Sequence, residues 1–165
     1  MSPPFRIINS DEGVEPKLLA EEFKHKPPLN ALTPRFLDQA PDGYSSALYF
    51  FAAEAFLYYI AAYMVADLND ELEMAGVVFS LTHGLDDKSG FTLVNPLRFG
   101  RQRWIDIQRA KFAMFDINQV SCIISYLEIK AENDSYARNS IEEALANYWH
   151  PRLDELGMYE SGGSD

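Results

Sequence analysis

The residues best suited to chemistry are few: His25, His83 and His150, the lone Cys122, and Glu54 set inside an aromatic run. Glu22-x-x-His25 has the i, i+3 spacing with which di-iron helical bundles present a carboxylate and an imidazole on one face. Such a centre needs a second copy and two further glutamates, and no second Glu-x-x-His occurs. Asp86-Asp87-Lys88-Ser89-Gly90 has part of a calcium loop's oxygen pattern. It lacks a third ligand and a terminal Glu at the required spacing, which makes it a polar turn. Glycine-rich phosphate loops, the nucleophile elbow and zinc-ligand spacings are all absent. A carboxylate buried without a partner is strongly unfavourable, so Glu54 is expected to pair with Arg101, Arg103 or Arg109 rather than serve as an acid. Cys122, beside Ile123, reads as a small buried hydrophobe. The expectation is a protein with no catalytic residues, no metal and no cofactor.

Charge says more than the motifs. The 165 residues hold 25 Asp+Glu against 14 Lys+Arg, a net charge of -11. Non-specific nucleic-acid binding needs cations to displace phosphate counterions, so that class is disfavoured. The excess is uneven. No Lys or Arg lies between Arg35 and Lys88, a stretch that contains Asp38, Asp42, Glu54, Asp67, Asp70, Glu71, Glu73, Asp86 and Asp87. Basic residues resume at Arg98, Arg101, Arg103, Arg109 and Lys111. With 47% hydrophobic and 24% charged residues the chain is globular rather than disordered. One cysteine excludes an intramolecular disulfide and points to a reducing compartment, the cytoplasm.

These residues must be positioned by helices. Residues 1–8 hold two prolines and no apolar core, so they do not read as a signal peptide. Residues 47–66 are long enough to cross a membrane and contain one charge, Glu54. Their flanks carry Asp42 and Asp67 rather than cations, and Tyr49, Tyr58, Tyr59 and Tyr63 bring hydroxyls into the run, so a buried central helix over 52–68 is expected instead. Phe56, Tyr59, Ile60 and Tyr63 define its inner face. A first helix is expected over 11–26, a proline-rich connecting loop over 27–44, and a helix opened by Asp70 and Glu73 running to His83, with Gly84 as its C-cap. Further helices are expected over 101–115, over 117–132 with Asp116 and Gln119 at its start, and over 136–149, stopped by Pro151. The fold class is all-α, a compact bundle of five or six helices around a central aromatic-rich helix. It is expected as one domain over 1–155, followed by a flexible tail over 156–165.

Several of these segments resemble a small bacterial family of uncharacterised helical proteins. The run from Ala47 to Met64, with Glu54-Ala55-Phe56 and the Tyr58-Tyr59 pair, is similar to that family's aromatic signature, although Ala53 and Ala61 stand where prolines are usual. Residues 112–127, with Gln119 and Tyr126-Leu127, resemble its second motif, and Ala144-Leu145-Ala146-Asn147-Tyr148-Trp149 resembles its closing helix. The resemblance covers about residues 45–150. It implies a compact helical domain, and it brings no established activity and no catalytic residues.

A small, acidic cytosolic domain without catalytic motifs suits an immunity-type protein, one that neutralises a cognate bacterial toxin or effector by covering its basic surface. Charge complementarity would speed capture. Asp67, Asp70, Glu71, Glu73, Asp86 and Asp87 are the candidate partner-binding residues, because helix ends and a long loop can expose them. The alternative is a non-catalytic structural or adaptor domain, dimeric through apolar helix faces. Neither nucleic acid nor membrane is an expected partner.

Overall fold

The computed structural model describes residues 6–9, 14–24, 32–38 and 47–161. The chain divides into two compact units, Met1–Ser80 and Leu81–Asp165. The fold is all-α, and the β-pairing among the described residues is confined to the isolated bridges Ile8–Phe51 and Leu93–Arg103.

In the first unit, α1 (Val14–Lys24) and the short α2 (Pro34–Leu37) pack on α3 (Ala53–Leu68). The centre is aromatic. Phe23 of α1 lies 4.7 Å from Phe36, 4.9 Å from Phe51 and 5.0 Å from Tyr59, mostly edge-on, as ring quadrupoles prefer. Phe56, Tyr59, Ile60 and Tyr63 are buried, as the helical spacing predicts, and Ala55 and Met64 join them. The helix is apolar on its outer face as well, where Val65 and Leu68 stay exposed. No helix among the described residues is long and apolar enough to cross a membrane. Glu54 is exposed in the first turn of α3, where a negative charge meets the positive end of the helix dipole; it needs no buried cation.

The proline-rich stretch is partly helical. Thr33 caps α2 by accepting a hydrogen bond from the Phe36 amide, and Pro34 occupies the first helical position. Leu37 is buried beneath it. Residues 25–31 and 39–46, and with them His25, Leu29 and Asp42, lie outside the described residues.

The expected helix starting at Asp70 is absent. Asp70 sits at φ +56° and closes α3 in a Schellman motif, with Glu71 N–H donating to Ala66 O and Asp70 N–H to Asp67 O. Residues 71–76 are irregular, and α4 spans only Val77–Thr82. Asp38 is the reason: its carboxylate accepts hydrogen bonds from the amides of Glu73 (2.9 Å), Met74 (2.8 Å) and Ala75 (2.8 Å). Those donors would otherwise open a helix at Asp70.

The second unit begins within α4 and holds α5 (Pro96–Phe99), α6 (Trp104–Phe112), α7 (Ile117–Asn133), α8 (Arg138–Ala144) and α9 (His150–Ser161). Asp116 and Gln119 form the expected reciprocal cap: the Gln119 amide donates to Asp116 at 2.8 Å and the Asp116 amide to Gln119 at 3.0 Å. Val120, Ile123, Ile124 and Leu127 are buried along α7, which packs on α8 and α9. Cys122, by contrast, is exposed: it follows the solvent side of α7, one position short of the core stripe. Trp149 is fully buried against Phe112 and Tyr148, and its indole N–H donates to Leu81 O at 3.0 Å. Pro151 does not end the helical path. A π-helical segment, Leu145–Trp149, precedes it and passes the chain into α9, so the missing proline amide falls in a first turn. The last four residues lie outside the described residues.

Glycine at the left-handed Asp70 position removes a Cβ clash. Asp70→Gly is expected to stabilise the protein by about 0.5–1 kcal/mol, whereas Asp70→Val is expected to cost about 1–2 kcal/mol. Urea denaturation midpoints read both changes.

Candidate functional site

The outer face of α3 and the segment after it expose apolar and acidic side chains side by side. Leu37 and Pro34 of α2 face Ala62, Val65 and Ala66 of α3 across an apolar groove of about 360 Å³, and Glu71 stands at its edge. Three factors shape the segment that follows α3. The Schellman turn ends α3 abruptly, Asp38 holds the amides of 73–75, and Gly76 admits the Tyr49 ring. A Cβ at Gly76 would lie 2.7 Å from the Tyr49 hydroxyl. Tyr49 in turn packs edge-on against Phe79, with ring centroids 5.8 Å apart. Tyr49, Met74 and Phe79 all remain exposed, and large flexible or aromatic side chains of this kind anchor protein interfaces.

The six acidic candidates are divided between the two units. Asp70, Glu71 and Glu73 come together on this segment, all exposed, and their carboxylates make no hydrogen bond or ion pair among the described residues. Asp67 sits half-buried near the end of α3 and has interactions of its own.

Asp86 and Asp87 belong to the second unit, and both are engaged internally. Asp86 is buried. Its carboxylate accepts from the Ser89 amide at 2.8 Å and from the Ser89 hydroxyl, whose oxygen accepts the Gly84 amide at 2.7 Å. These bonds lower the Asp86 pKa despite the opposing effect of burial, which is the largest single influence on it. Gly90 closes the loop where a Cβ would press on the Asp86 and Gly84 carbonyls, at 2.9 and 3.0 Å. Asp87 is exposed, but it accepts from Asn147 Nδ2 at 2.8 Å while its own amide donates to Glu143 at 3.0 Å. The residues 86–90 are therefore a structural turn, as their incomplete calcium pattern implies.

His83 lies next to this turn. Its ring meets Trp104 at 5.0 Å, and its carbonyl accepts from Gln108 at 2.8 Å. Burial lowers its pKa, partly offset by the Asp86 charge. Among the described residues, no three His, Cys, Asp or Glu side chains are grouped to hold a metal ion. Asp38 and the apolar groove went unrecognised in the sequence: Asp38 lies 35 residues upstream of the first amide it binds, with no local signature.

Fold and site together define an all-α protein bearing an apolar groove lined at one point by an acidic residue, Glu71. Residues 19–153 match a family of unknown function, DUF6714, and the chain belongs to that family. The match runs from within α1 into α9, so it takes in both units. No curated protein and no solved structure matches the chain.

The lowered His83 pKa has a sign that solution measurements can read. The unfolded chain binds the imidazole proton near pH 6.5, before the folded chain does. Its contribution is therefore nil well above pH 6.5 and becomes destabilising as pH falls from there to the folded value. Urea titrations at successive pH values are expected to show this slope in the native protein and not in His83→Gln.

Proposed function

We propose that this chain is a non-catalytic protein-binding domain of the immunity type, which captures a basic toxin or effector through the first unit. The observation that carries the reading is the run Asp70, Glu71 and Glu73, whose exposed carboxylates make no hydrogen bond or ion pair among the described residues, with Glu71 lining an apolar groove. Such a surface suits a partner whose cations face the edge while an apolar side chain enters the groove. The acidic edge draws the partner in, which raises the association rate and makes it fall with salt. The groove and the exposed Tyr49, Met74 and Phe79 supply contacts that slow dissociation.

The same surface disfavours the adaptor reading. A two-fold contact of this edge with itself would place like charges against one another. The reading places the chain in a bacterial cytoplasm, where its single cysteine stays reduced.

The test is binding to the purified product of the adjacent gene. The expected result is a complex whose association rate falls steeply with salt. With Asp70→Asn, Glu71→Gln and Glu73→Gln combined, the rate is expected to drop about tenfold or more and to lose most of its salt dependence. Absence of a complex, or an unchanged rate in the triple variant, would contradict the proposal.

A further inference from the structure

The second unit carries a pocket of opposite character. It has a volume of about 200 Å³ and is built where α6, the π-helical segment and α9 converge. Arg109 comes from α6, Tyr148 from the π-helical segment, and Arg152 and Glu155 from α9. Arg152 is held in place: one Nη donates to Ala113 O at 3.0 Å and the other meets Glu155 at 3.3 Å. Its Nε–H is buried and has no partner among the described residues, an unusual state for a charged donor. Arg109 is exposed and makes no hydrogen bond or ion pair among the described residues. The Tyr148 hydroxyl lies in the field of Arg152, Glu155 and Arg109. Burial raises its pKa, so it keeps its proton and can donate. The Asn147 amide nitrogen is already committed to Leu85 O and Asp87.

Two guanidinium groups and a phenol thus face one carboxylate, which leaves a local positive charge in a chain whose net charge is -11. The volume is below the roughly 300 Å³ at which pockets begin to hold drug-sized molecules, so the occupant is small. Three donors arriving from three separate elements suit a tetrahedral oxyanion better than a planar carboxylate, which one guanidinium can satisfy by itself. We propose that the Arg109–Tyr148–Arg152 pocket is a binding site for a phosphoryl group, either free phosphate or the head of a small phosphate monoester. This site is independent of the acidic edge and does not rest on the proposed partner.

The test is calorimetric titration of the full chain with inorganic phosphate, glycerol phosphate and acetate, at ionic strength matched with sodium chloride. Saturable one-to-one binding of phosphate or glycerol phosphate is expected, with acetate much weaker. Tighter binding of glycerol phosphate marks a monoester site, and equal or tighter binding of inorganic phosphate marks a free-phosphate site. Arg109→Gln removes an exposed side chain that the fold does not use, and it is expected to weaken binding about tenfold or more. Tyr148→Phe is expected to weaken it severalfold. The proposal is overturned if neither phosphate ligand saturates, if acetate binds equally well, or if Arg109→Gln binds as the native chain does.

Discussion

One carboxylate organises the surface that matters in the first unit. Asp38 accepts three consecutive backbone N–H groups, those of Glu73, Met74 and Ala75. Hydrogen bonds to an ionised acceptor are stronger than neutral ones, and three in register leave the segment little choice of shape. Without that acceptor, the amides would be free to continue into a helix ending at Thr82, in which Glu71 and Glu73 would fall about 200° apart. With it, the chain leaves α3 through the Schellman turn, runs irregularly past the groove, and enters α4 only at Val77. The same charge raises the pKa of the buried Tyr63 hydroxyl, after burial itself. That hydroxyl has no hydrogen-bond partner among the described residues.

Each unit is held by its own aromatic centre. In the first, Phe23, Phe36, Phe51 and Tyr59 let α1 and α2 pack on α3 although α2 is a single turn. In the second, Trp149 joins apolar packing to one buried hydrogen bond, so the π-helical segment around it is fixed in orientation. That orientation is what brings Tyr148 and Arg152 to the same pocket as Arg109. The two candidate sites therefore have opposite charge and separate structural causes.

Much of the helical framework was legible in the sequence because its signals are local. The buried face of α3 follows from the spacing of Phe56, Tyr59, Ile60 and Tyr63, and the start of α7 from Asp116 and Gln119. Where the reading failed, a distant group had won. Asp70 and Glu73 have cap-like spacing, but Asp38 takes the amides such a cap would organise. Glu54 lies two residues before Phe56, about 200° around the helix from that buried face, so the spacing that marks the core already turns it toward solvent and no cation is needed. Cys122 lies one residue from a core position, and one residue is about a hundred degrees of helix. Asp86 looked like a surface acid and is the acceptor that folds its own turn. Arg109, Tyr148 and Arg152 belong to separate elements, and no pattern along the chain announces that they meet. Membership in a family of unknown function supplies no residue roles to fill these gaps.

The central claim is that Asp38 holds the acidic edge in one shape, and amide hydrogen exchange measures this residue by residue. In the native protein the amides of Glu73, Met74 and Ala75 are expected to be protected. In Asp38→Ala their protection is expected to collapse toward that of an open loop, while the amides of Tyr59 to Met64 in the middle of α3 keep theirs. Unchanged protection at 73–75 in Asp38→Ala would contradict the account.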